Sequence, residues 1–229
     1  MLILAIDTST IAASVAILDE NKLHGQMYTD YKLKHSEKLL PMVDDLLRHL
    51  RFELSDIDCF AVGSGPGSFT GLRIGASTVK GFAHALNKSV IGVSTLEALA
   101  YSLSHYKGTI CPILDAQRDA VYTAVFSSSR GAITRKTEDM ALSLTELITS
   151  LEGEDEVMFL GDAVLKFKDE IIQKMEDRAV FAPSSLLMPS ACWVGEVALK
   201  KAQRGEFDDY NTFLPNYIRT VQIDKKKTQ

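Results

Sequence analysis

The segment Gly65-Pro66-Gly67-Ser68-Phe69-Thr70-Gly71-Leu72-Arg73-Ile74-Gly75 decides the fold, because it joins a predicted strand to a predicted helix. The strand covers residues 57–62 and the helix covers residues 72–86. Backbone N–H groups at a glycine-rich helix N-terminus can bind an anion such as phosphate. The same glycines can instead serve a tight path of the loop itself. No Lys-Ser/Thr pair follows them, so the segment is not a Walker A loop.

The residues before this segment predict a three-stranded antiparallel meander and then a helix. Short apolar runs at residues 2–6, 14–18 and 22–28 are separated by turn-like polar residues. Apolar residues then recur at helical spacing over residues 39–50, with Ser36 as a cap. Pro41 either opens this helix at its first position or kinks a longer one.

The residues after the segment repeat a similar order of elements. A strand is predicted at residues 90–93, followed by a helix in which Ser94 and Glu97 form a capping box. Further strands are predicted at residues 109–114, 120–127, 132–136 and 157–160, and further helices at 142–151, 164–175 and 189–204. Two halves of the same order predict an internal duplication.

The predicted fold class is therefore α/β with two lobes, each a mixed sheet flanked by helices. The N-terminal, partner-binding lobe covers residues 1–107, and the C-terminal lobe covers residues 108–212. Residues 213–229 form a C-terminal segment that we expect to pack back on the N-terminal lobe.

The composition excludes several classes of protein. Of 229 residues, 46% are hydrophobic and 24% are charged, with a net charge of −5. Neutralisation of phosphates drives nucleic-acid binding, so we expect this acidic chain to bind RNA poorly alone. Three scattered cysteines predict a reducing cytoplasm rather than a disulfide framework. Neither they nor the histidines have metal-ligand spacing, and no signal peptide or membrane span is predicted.

Two polar clusters are candidates for nucleotide or phosphate binding. A carboxylate and hydroxyls at the first predicted turn suit a phosphate and its Mg²⁺. The alternative is a turn in which these side chains satisfy their own backbone. The glycine-rich loop supplies the second cluster, and no nucleophile–base pair accompanies either one. The candidate residues are Asp7, Thr8, Ser9, Gly65, Gly67, Ser68 and Thr70.

Small residues recur at four-residue spacing in the predicted helix at residues 72–86 and just before it. They are Gly71, Gly75, Ser77, Gly81 and Ala85. Each helical glycine costs ~1 kcal/mol relative to alanine. A close helix contact would offset that cost, either with another subunit or with the protein's own sheet.

Four motifs resemble the TsaB (YeaZ) family and together span nearly the whole chain. They are Asp7-Thr8-Ser9-Thr10 with Ser14-Val15-Ala16, the segment 65–75, Leu114-Asp115-Ala116-Gln117-Arg118 with Val121-Tyr122, and Pro215-Asn216-Tyr217-Ile218-Arg219. The resemblance implies the two-lobed actin/Hsp70-like ATPase fold. It also implies a non-catalytic scaffold that binds TsaD, the subunit that transfers a threonylcarbamoyl group to the anticodon-adjacent adenosine of tRNA.

The resemblance further implies partners and an interface. A TsaE-like ATPase joins the complex, the chain pairs with itself when TsaD is absent, and tRNA is contacted only through the complex. No cofactor is required, and the fold is compatible with weak binding of ATP or ADP. The implied partner-facing residues are Ser36, Leu39, Leu40, Val43, Leu47, Leu72, Gly75, Val79 and Phe82.

Departures from related sequences bear on catalysis. TsaD carries an H-x-x-x-H metal pair where this sequence has Thr95 and Leu99, so the resemblance implies no metal and no transfer activity here. Gln117 stands where an arginine is expected, and Gly161-Asp162-Ala163 replaces Gly-Asp-Gly. The alternative function is a free-standing ATP-binding protein or ATPase of the same fold, using Asp7 and the loop at residues 63–71. A peptidase is disfavoured, because no catalytic dyad or zinc-ligand pattern is present.

Overall fold

The structure is a computed structural model that describes residues 1–30 and 35–218. The strands are β1 (Ile3–Asp7), β2 (Ala13–Leu18), β3 (Leu23–Thr29), β4 (Cys59–Gly65), β5 (Ser89–Ser94), β6 (Gly108–Asp115), β7 (Ala120–Thr123), β8 (Phe126–Ser129), β9 (Ala132–Arg135), β10 (Met140–Ser143), β11 (Val157–Leu160) and β12 (Ala179–Phe181). The α-helices are α1 (His35–Leu50), α2 (Phe69–Leu86), α3 (Thr95–Tyr101), α4 (Leu144–Ser150), α5 (Val164–Met175) and α6 (Ala191–Gln203). Single 3₁₀ turns lie at Leu54–Asp56, Glu176–Arg178 and Ser184–Leu186.

Two mixed sheets repeat one strand order. The first sheet has the order β3-β2-β1-β4-β5, and the second has the order β10-β7-β6-β11-β12. In the first sheet the central strand β1 is antiparallel to β2 and parallel to β4. In the second sheet the central strand β6 is likewise antiparallel to β7 and parallel to β11. The β8–β9 hairpin is an addition on β6. The repeated order agrees with the internal duplication predicted from the sequence.

The first sheet is covered by helices on both faces. Leu4 and Ile6 of β1 pack among residues of α1 and α2 on one face. Ile3 and Ala5 pack against α6 on the other face. Successive side chains of a strand point to opposite faces, so a strand with two covered faces is apolar at almost every position. This explains the unbroken apolar run at the start of the sequence.

Helix α6 corrects the predicted division of the chain. The sequence assigns it to the lobe of residues 108–212, but it packs on β1, β2, β4 and β5 of the first sheet. Gly195 brings α6 close to β2, because a Cβ atom at this position would overlap the side chain of Leu18. The chain thus crosses back to the first lobe after β12.

The segment that follows α6 also contacts the first lobe. Asp208 pairs with Val90 at the edge of β5, and the ring of Phe213 lies against Gly92. The backbone N–H of Asn216 donates to the carbonyl of Ser64 at 2.7 Å. Residues 213–218 therefore lie where the sequence predicts, whereas residues 219–229 of that predicted segment lie outside the described residues.

Several element boundaries differ from the sequence prediction. The predicted strand at residues 120–127 is two strands, β7 and β8, which both pair antiparallel with β6. They are separated at Ala124 and Val125, where the N–H of Val125 donates to the hydroxyl of Thr137 at 2.8 Å. Leu142 and Ser143, which the sequence prediction places in the following helix, instead end strand β10. Pro41 lies inside α1. None of the helices in the described ranges is both long and apolar enough to cross a membrane.

Candidate functional site

The first hairpin holds a buried carboxylate with one unpaired oxygen. Asp7 ends β1, and its Oδ1 accepts hydrogen bonds from the N–H of Ser9 (3.0 Å) and from its hydroxyl (2.8 Å). Asp7 Oδ2 and the hydroxyl of Thr95 are buried and have no hydrogen-bond partner among the described residues. Burial raises the pKa of Asp7 to about 6, although the bonds from Ser9 oppose this shift. The two hydrogen bonds from Ser9 fix the Asp7 carboxylate within the hairpin.

The glycine-rich segment packs directly on this hairpin. A Cβ atom on Gly67 would overlap the carbonyl oxygen of Ser9, and one on Gly71 would overlap the carbonyl oxygen of Thr8. The N–H of Ser68 donates to the carbonyl of Ser9 at 2.6 Å, and the hydroxyl of Thr8 donates to the carbonyl of Gly71 at 2.8 Å. These glycines are explained by close backbone packing within the chain. The N–H of Ser68 is already used, so it is not free to bind a phosphate.

The segment also starts α2 earlier than the sequence predicts. Strand β4 continues to Gly65, and α2 begins at Phe69 instead of Leu72. The hydroxyl of Ser68 caps the helix by accepting from the N–H of Gly71 at 3.3 Å. Gly65 faces the carbonyl oxygen of Asn216, which a Cβ atom would approach to 2.6 Å. Gly65 thus serves the contact with the C-terminal segment.

A cleft of about 580 Å³ lies between the two lobes. Of the candidate nucleotide residues, Ser9, Gly67, Ser68 and Thr70 line it, whereas Asp7, Thr8 and Gly65 do not. The second lobe contributes six residues that the sequence did not predict as binding residues, namely Leu114, Asp115, Ala116, Gln117, Tyr122 and Asp162. Most of these six residues lie in two motifs of the second lobe, Leu114-Asp115-Ala116-Gln117-Arg118 and Gly161-Asp162-Ala163.

The cleft is acidic on the side of the second lobe. Asp162 Oδ1 accepts from the N–H of Asp115 at 2.9 Å, and burial raises the pKa of Asp162. Lys166 Nζ lies 3.5 Å from a carboxylate oxygen of Asp115. On the other side, a ring nitrogen of His35 lies 2.8 Å from the carbonyl oxygen of Thr10. The described part of the chain contains no group of three His, Cys, Asp or Glu side chains that could hold a metal ion.

The helical face predicted to contact a partner is mostly internal, which corrects the sequence assignment. Leu39, Val43, Leu72, Gly75 and Val79 are buried in the core of the first lobe. A Cβ atom on Gly75 would lie 2.7 Å from the hydroxyl of Thr8, so this glycine serves packing of α2 on its own sheet. The four-residue spacing could not distinguish a face that packs inward from one that faces a partner.

Of the remaining predicted residues, Leu40, Leu47 and Phe82 line a groove between α1 and α2, whereas Ser36 does not. Leu40 is 54% exposed, Ser36 is exposed, and Leu47 and Phe82 are partly exposed. The groove has a volume of about 560 Å³ and is lined by Leu40, Val43, Asp44, Leu47, Arg48, Phe52, Glu53, Leu54 and Phe82. An apolar centre with charged residues at its edge is the composition found at protein–protein interfaces. We call this surface the α1–α2 groove.

Comparison with known proteins places the chain in a family. The family model described as TsaD, tRNA N6-adenosine threonylcarbamoyltransferase, matches residues 22–227. The tRNA threonylcarbamoyladenosine biosynthesis protein TsaB of Bacillus subtilis is 30% identical over 227 residues, covering 99% of this chain and 97% of that protein. The chain belongs to the TsaB (YeaZ) family. The corresponding protein of Escherichia coli is 35% identical over 150 residues, or 65% of this chain and 64% of that protein.

Solved structures agree with this membership of the TsaB family. YeaZ from Pseudomonas aeruginosa superimposes with a TM-score of 0.81 and 31% identity, covering 95% of this chain and 99% of that one. A hexokinase of the ROK class from Thermus thermophilus, at 9% identity and a TM-score of 0.53, shares only the fold. The chain has the two-lobed actin/Hsp70-like ATPase fold that the sequence motifs predict.

Proposed function

We propose that this chain is a non-catalytic subunit that binds and activates a TsaD-like threonylcarbamoyltransferase in the modification of tRNA. Its relatives are named as proteins of tRNA threonylcarbamoyladenosine biosynthesis, and a family model of the transferase type matches most of its length. The observation that carries the binding role is the α1–α2 groove, where Leu40 stands exposed beside partly exposed Leu47 and Phe82.

Three features support a role as a scaffold over a role as the catalyst. Thr95 and Leu99 occupy the positions at which the sequence analysis places a metal pair in TsaD, and both are buried. The glycines next to the cleft are used for packing of the chain on itself. The cleft also has two carboxylates, Asp115 and Asp162, on one wall. Phosphates would meet like charge there unless a cation accompanied them.

The proposed assembly includes a TsaE-like ATPase and acts in the cytoplasm. In the absence of the TsaD-like subunit, the same α1–α2 groove pairs two copies of this chain. The groove is self-complementary in chemistry, since it has an apolar centre and both signs of charge in Asp44, Arg48 and Glu53. The TsaD-like subunit and a second copy of this chain would each cover the exposed side chain of Leu40.

The binding role is tested with matched leucine variants. Leu40→Glu places a charge at the centre of the α1–α2 groove, whereas Leu165→Glu places the same charge at an exposed leucine of the second lobe. We expect Leu40→Glu to weaken binding of the purified TsaD-like subunit at least tenfold in calorimetry, because truncating or charging an interface centre costs ~2 kcal/mol or more. Leu165→Glu should bind normally. Equal affinity of both variants would refute the groove as the interface.

The activating role is tested by omission. The TsaD-like subunit, the TsaE-like ATPase, a threonylcarbamoyl-adenylate synthase, ATP, threonine, bicarbonate and tRNA are combined with and without this chain. We expect modified tRNA only when the chain is present, and less product with Leu40→Glu. Equal product without the chain would refute the scaffold function.

A second candidate function is weak ATP or ADP binding in the interlobe cleft, with or without hydrolysis. The cleft volume of about 580 Å³ and the hydroxyls of Ser9, Thr10 and Thr70 favour it. Titration of the isolated chain with ADP and Mg²⁺, compared with Thr70→Val, measures it directly. Saturable heat that is lost in Thr70→Val would support the cleft as a nucleotide site, and no heat at millimolar ADP would exclude it.

A further inference from the structure

An exposed cluster of rings and cations lies where α2 meets the C-terminal segment. We call it the aromatic–cation patch, and it consists of Phe69, Arg73, Ser77, Lys80, Leu214 and Tyr217. The guanidinium carbon of Arg73 lies 3.8 Å from the ring centroid of Phe69. The rings of Phe69 and Tyr217 have their centroids 4.9 Å apart. The guanidinium of Arg73 thus lies over one face of the Phe69 ring, and the ring of Tyr217 packs beside Phe69 at an interplanar angle of 46°.

The rings of this patch are open to solvent. Phe69 is 52% exposed and Tyr217 is 41% exposed. A cavity of about 390 Å³ beside them is lined by Arg73, Ala76, Ser77, Lys80, Phe213, Leu214, Pro215 and Tyr217. It shares no lining residue with the α1–α2 groove. The proposed scaffold contact therefore does not account for these exposed rings.

The charge of the patch is opposite to that of the whole chain. No acidic side chain lines its cavity, and within residues 1–30 and 35–218 neither Arg73 nor Lys80 forms an ion pair. Lys80 Nζ donates to the carbonyl of Phe213 at 3.0 Å, which holds the ammonium group at the cavity. The guanidinium of Arg73 donates to no described residue, so its N–H groups are available to a ligand. The patch is therefore a local excess of positive charge in a chain whose net charge is −5.

We propose that the aromatic–cation patch binds a single-stranded segment of RNA. Bases would stack on the exposed rings of Phe69 and Tyr217, and phosphates would contact Arg73 and Lys80. Stacking on aromatic side chains combined with basic residues along the backbone is the general mode of single-strand binding. An acidic peptide would use the cations but leave the rings without a stacking partner, whereas a nucleotide uses both. The inference extends the proposed function, because the assembly acts on an RNA.

The test measures RNA binding by the isolated full-length chain. The probe is a fluorescein-labelled, unstructured RNA of about twelve nucleotides, and the readout is fluorescence anisotropy at 50 mM and 200 mM salt. The variants are Arg73→Glu and Tyr217→Leu, and Lys22→Glu is the control with the same charge change at an exposed turn. We expect each patch variant to weaken binding about tenfold, from loss of a phosphate contact or of a stacked base. Lys22→Glu should leave the affinity unchanged.

Other outcomes overturn the proposal. Equal loss of binding in Arg73→Glu and in the control Lys22→Glu would show a general charge effect instead of a local site. Loss in Arg73→Glu with unchanged binding in Tyr217→Leu, and full competition by inorganic tripolyphosphate, would show an anion site without stacking. Unchanged RNA binding together with weaker binding of the TsaD-like subunit would make the patch a protein contact. Because Leu40→Glu alone tests the groove, the proposed function and this inference can fail separately.

Discussion

The unpaired carboxylate oxygen of Asp7 makes a specific prediction about stability. Replacing Asp7 by Asn keeps an oxygen that can accept the two hydrogen bonds from Ser9. It places an amide where Oδ2 now lies buried without a partner, in the region where the hydroxyl of Thr95 is also unpaired. The variant removes a buried negative charge at little change of volume.

The magnitude follows from the pKa of Asp7. Burial raises it from 3.8 to about 6 in the folded chain, so the folded state favours the neutral acid. This contribution to stability is fully present below the unfolded pKa and is lost as the pH rises through the folded pKa. A difference of about two units corresponds to ~3 kcal/mol. Because pH 4 already lies just above the unfolded pKa, the stability of Asp7→Asn should gain ~2 kcal/mol of this relative to the original chain between pH 4 and pH 8.

Urea denaturation measures this difference through the fluorescence of Trp193, the one tryptophan of the sequence, which lies in α6 against the first sheet. Asp155→Asn, at an exposed carboxylate, is the control and should change stability by less than ~0.5 kcal/mol. A difference that does not change with pH would refute the reasoning. So would an Asp7→Asn variant less stable than the original chain at pH 8, since it would mean that the ionised carboxylate is stabilised by an additional group.

Three further predictions concern packing and reactivity. Gly71→Ala should destabilise the fold by ~2 kcal/mol, because the new Cβ atom would overlap the carbonyl of Thr8. Gly81→Ala meets no atom within 4 Å and should be neutral or stabilising by up to ~1 kcal/mol. Urea denaturation compares the two variants, and equal stability would contradict the packing role of Gly71. Phe213→Ala should lower the free energy of unfolding by ~3 kcal/mol or more, because Phe213 is 93% buried against the first lobe. A loss of stability under ~1 kcal/mol would show that the C-terminal segment is not anchored there. Burial raises the pKa of the Cys111 thiol to about 12. Iodoacetamide at pH 8 should therefore label Cys111 only after denaturation, because the thiolate is the reactive form. Rapid labelling of Cys111 in the folded chain would contradict its position in the core.

The sequence predicted the fold well where local pattern and burial agree. The meander before α1, helix α5 at Val164–Met175 and the repeated order of the two halves follow from periodicities that the structure keeps. The predicted capping box at the start of α3 is half correct. The hydroxyl of Ser94 accepts from the N–H of Glu97 at 3.3 Å, but the carboxylate of Glu97 lies 3.7 Å from Arg135 instead. A partner distant in sequence competes with the local contact.

The sequence predicted the candidate site less well, because its residues come from separate segments. The local pattern predicts Ser9, Ser68 and Thr70 as candidates for phosphate binding, and all three line the cleft. The opposite wall, with Asp115 and Asp162, depends on how the two lobes face each other. The interface prediction failed at Gly75 and Val79 for a related reason. Both lie on a face with the expected spacing, and only the position of the sheet decides that this face is internal.

The sequence by itself determined the class of fold, the duplication and the family, since each rests on motifs and periodicities within a few consecutive residues. The tertiary structure decided what the glycines are for, because the carbonyl oxygens of Thr8 and Ser9 that they contact lie about sixty residues away in the chain. It also decided that α6 and residues 213–218 return to the first lobe. Burial of apolar surface drives such contacts, and burial depends on which surfaces remain open after the sheets have formed.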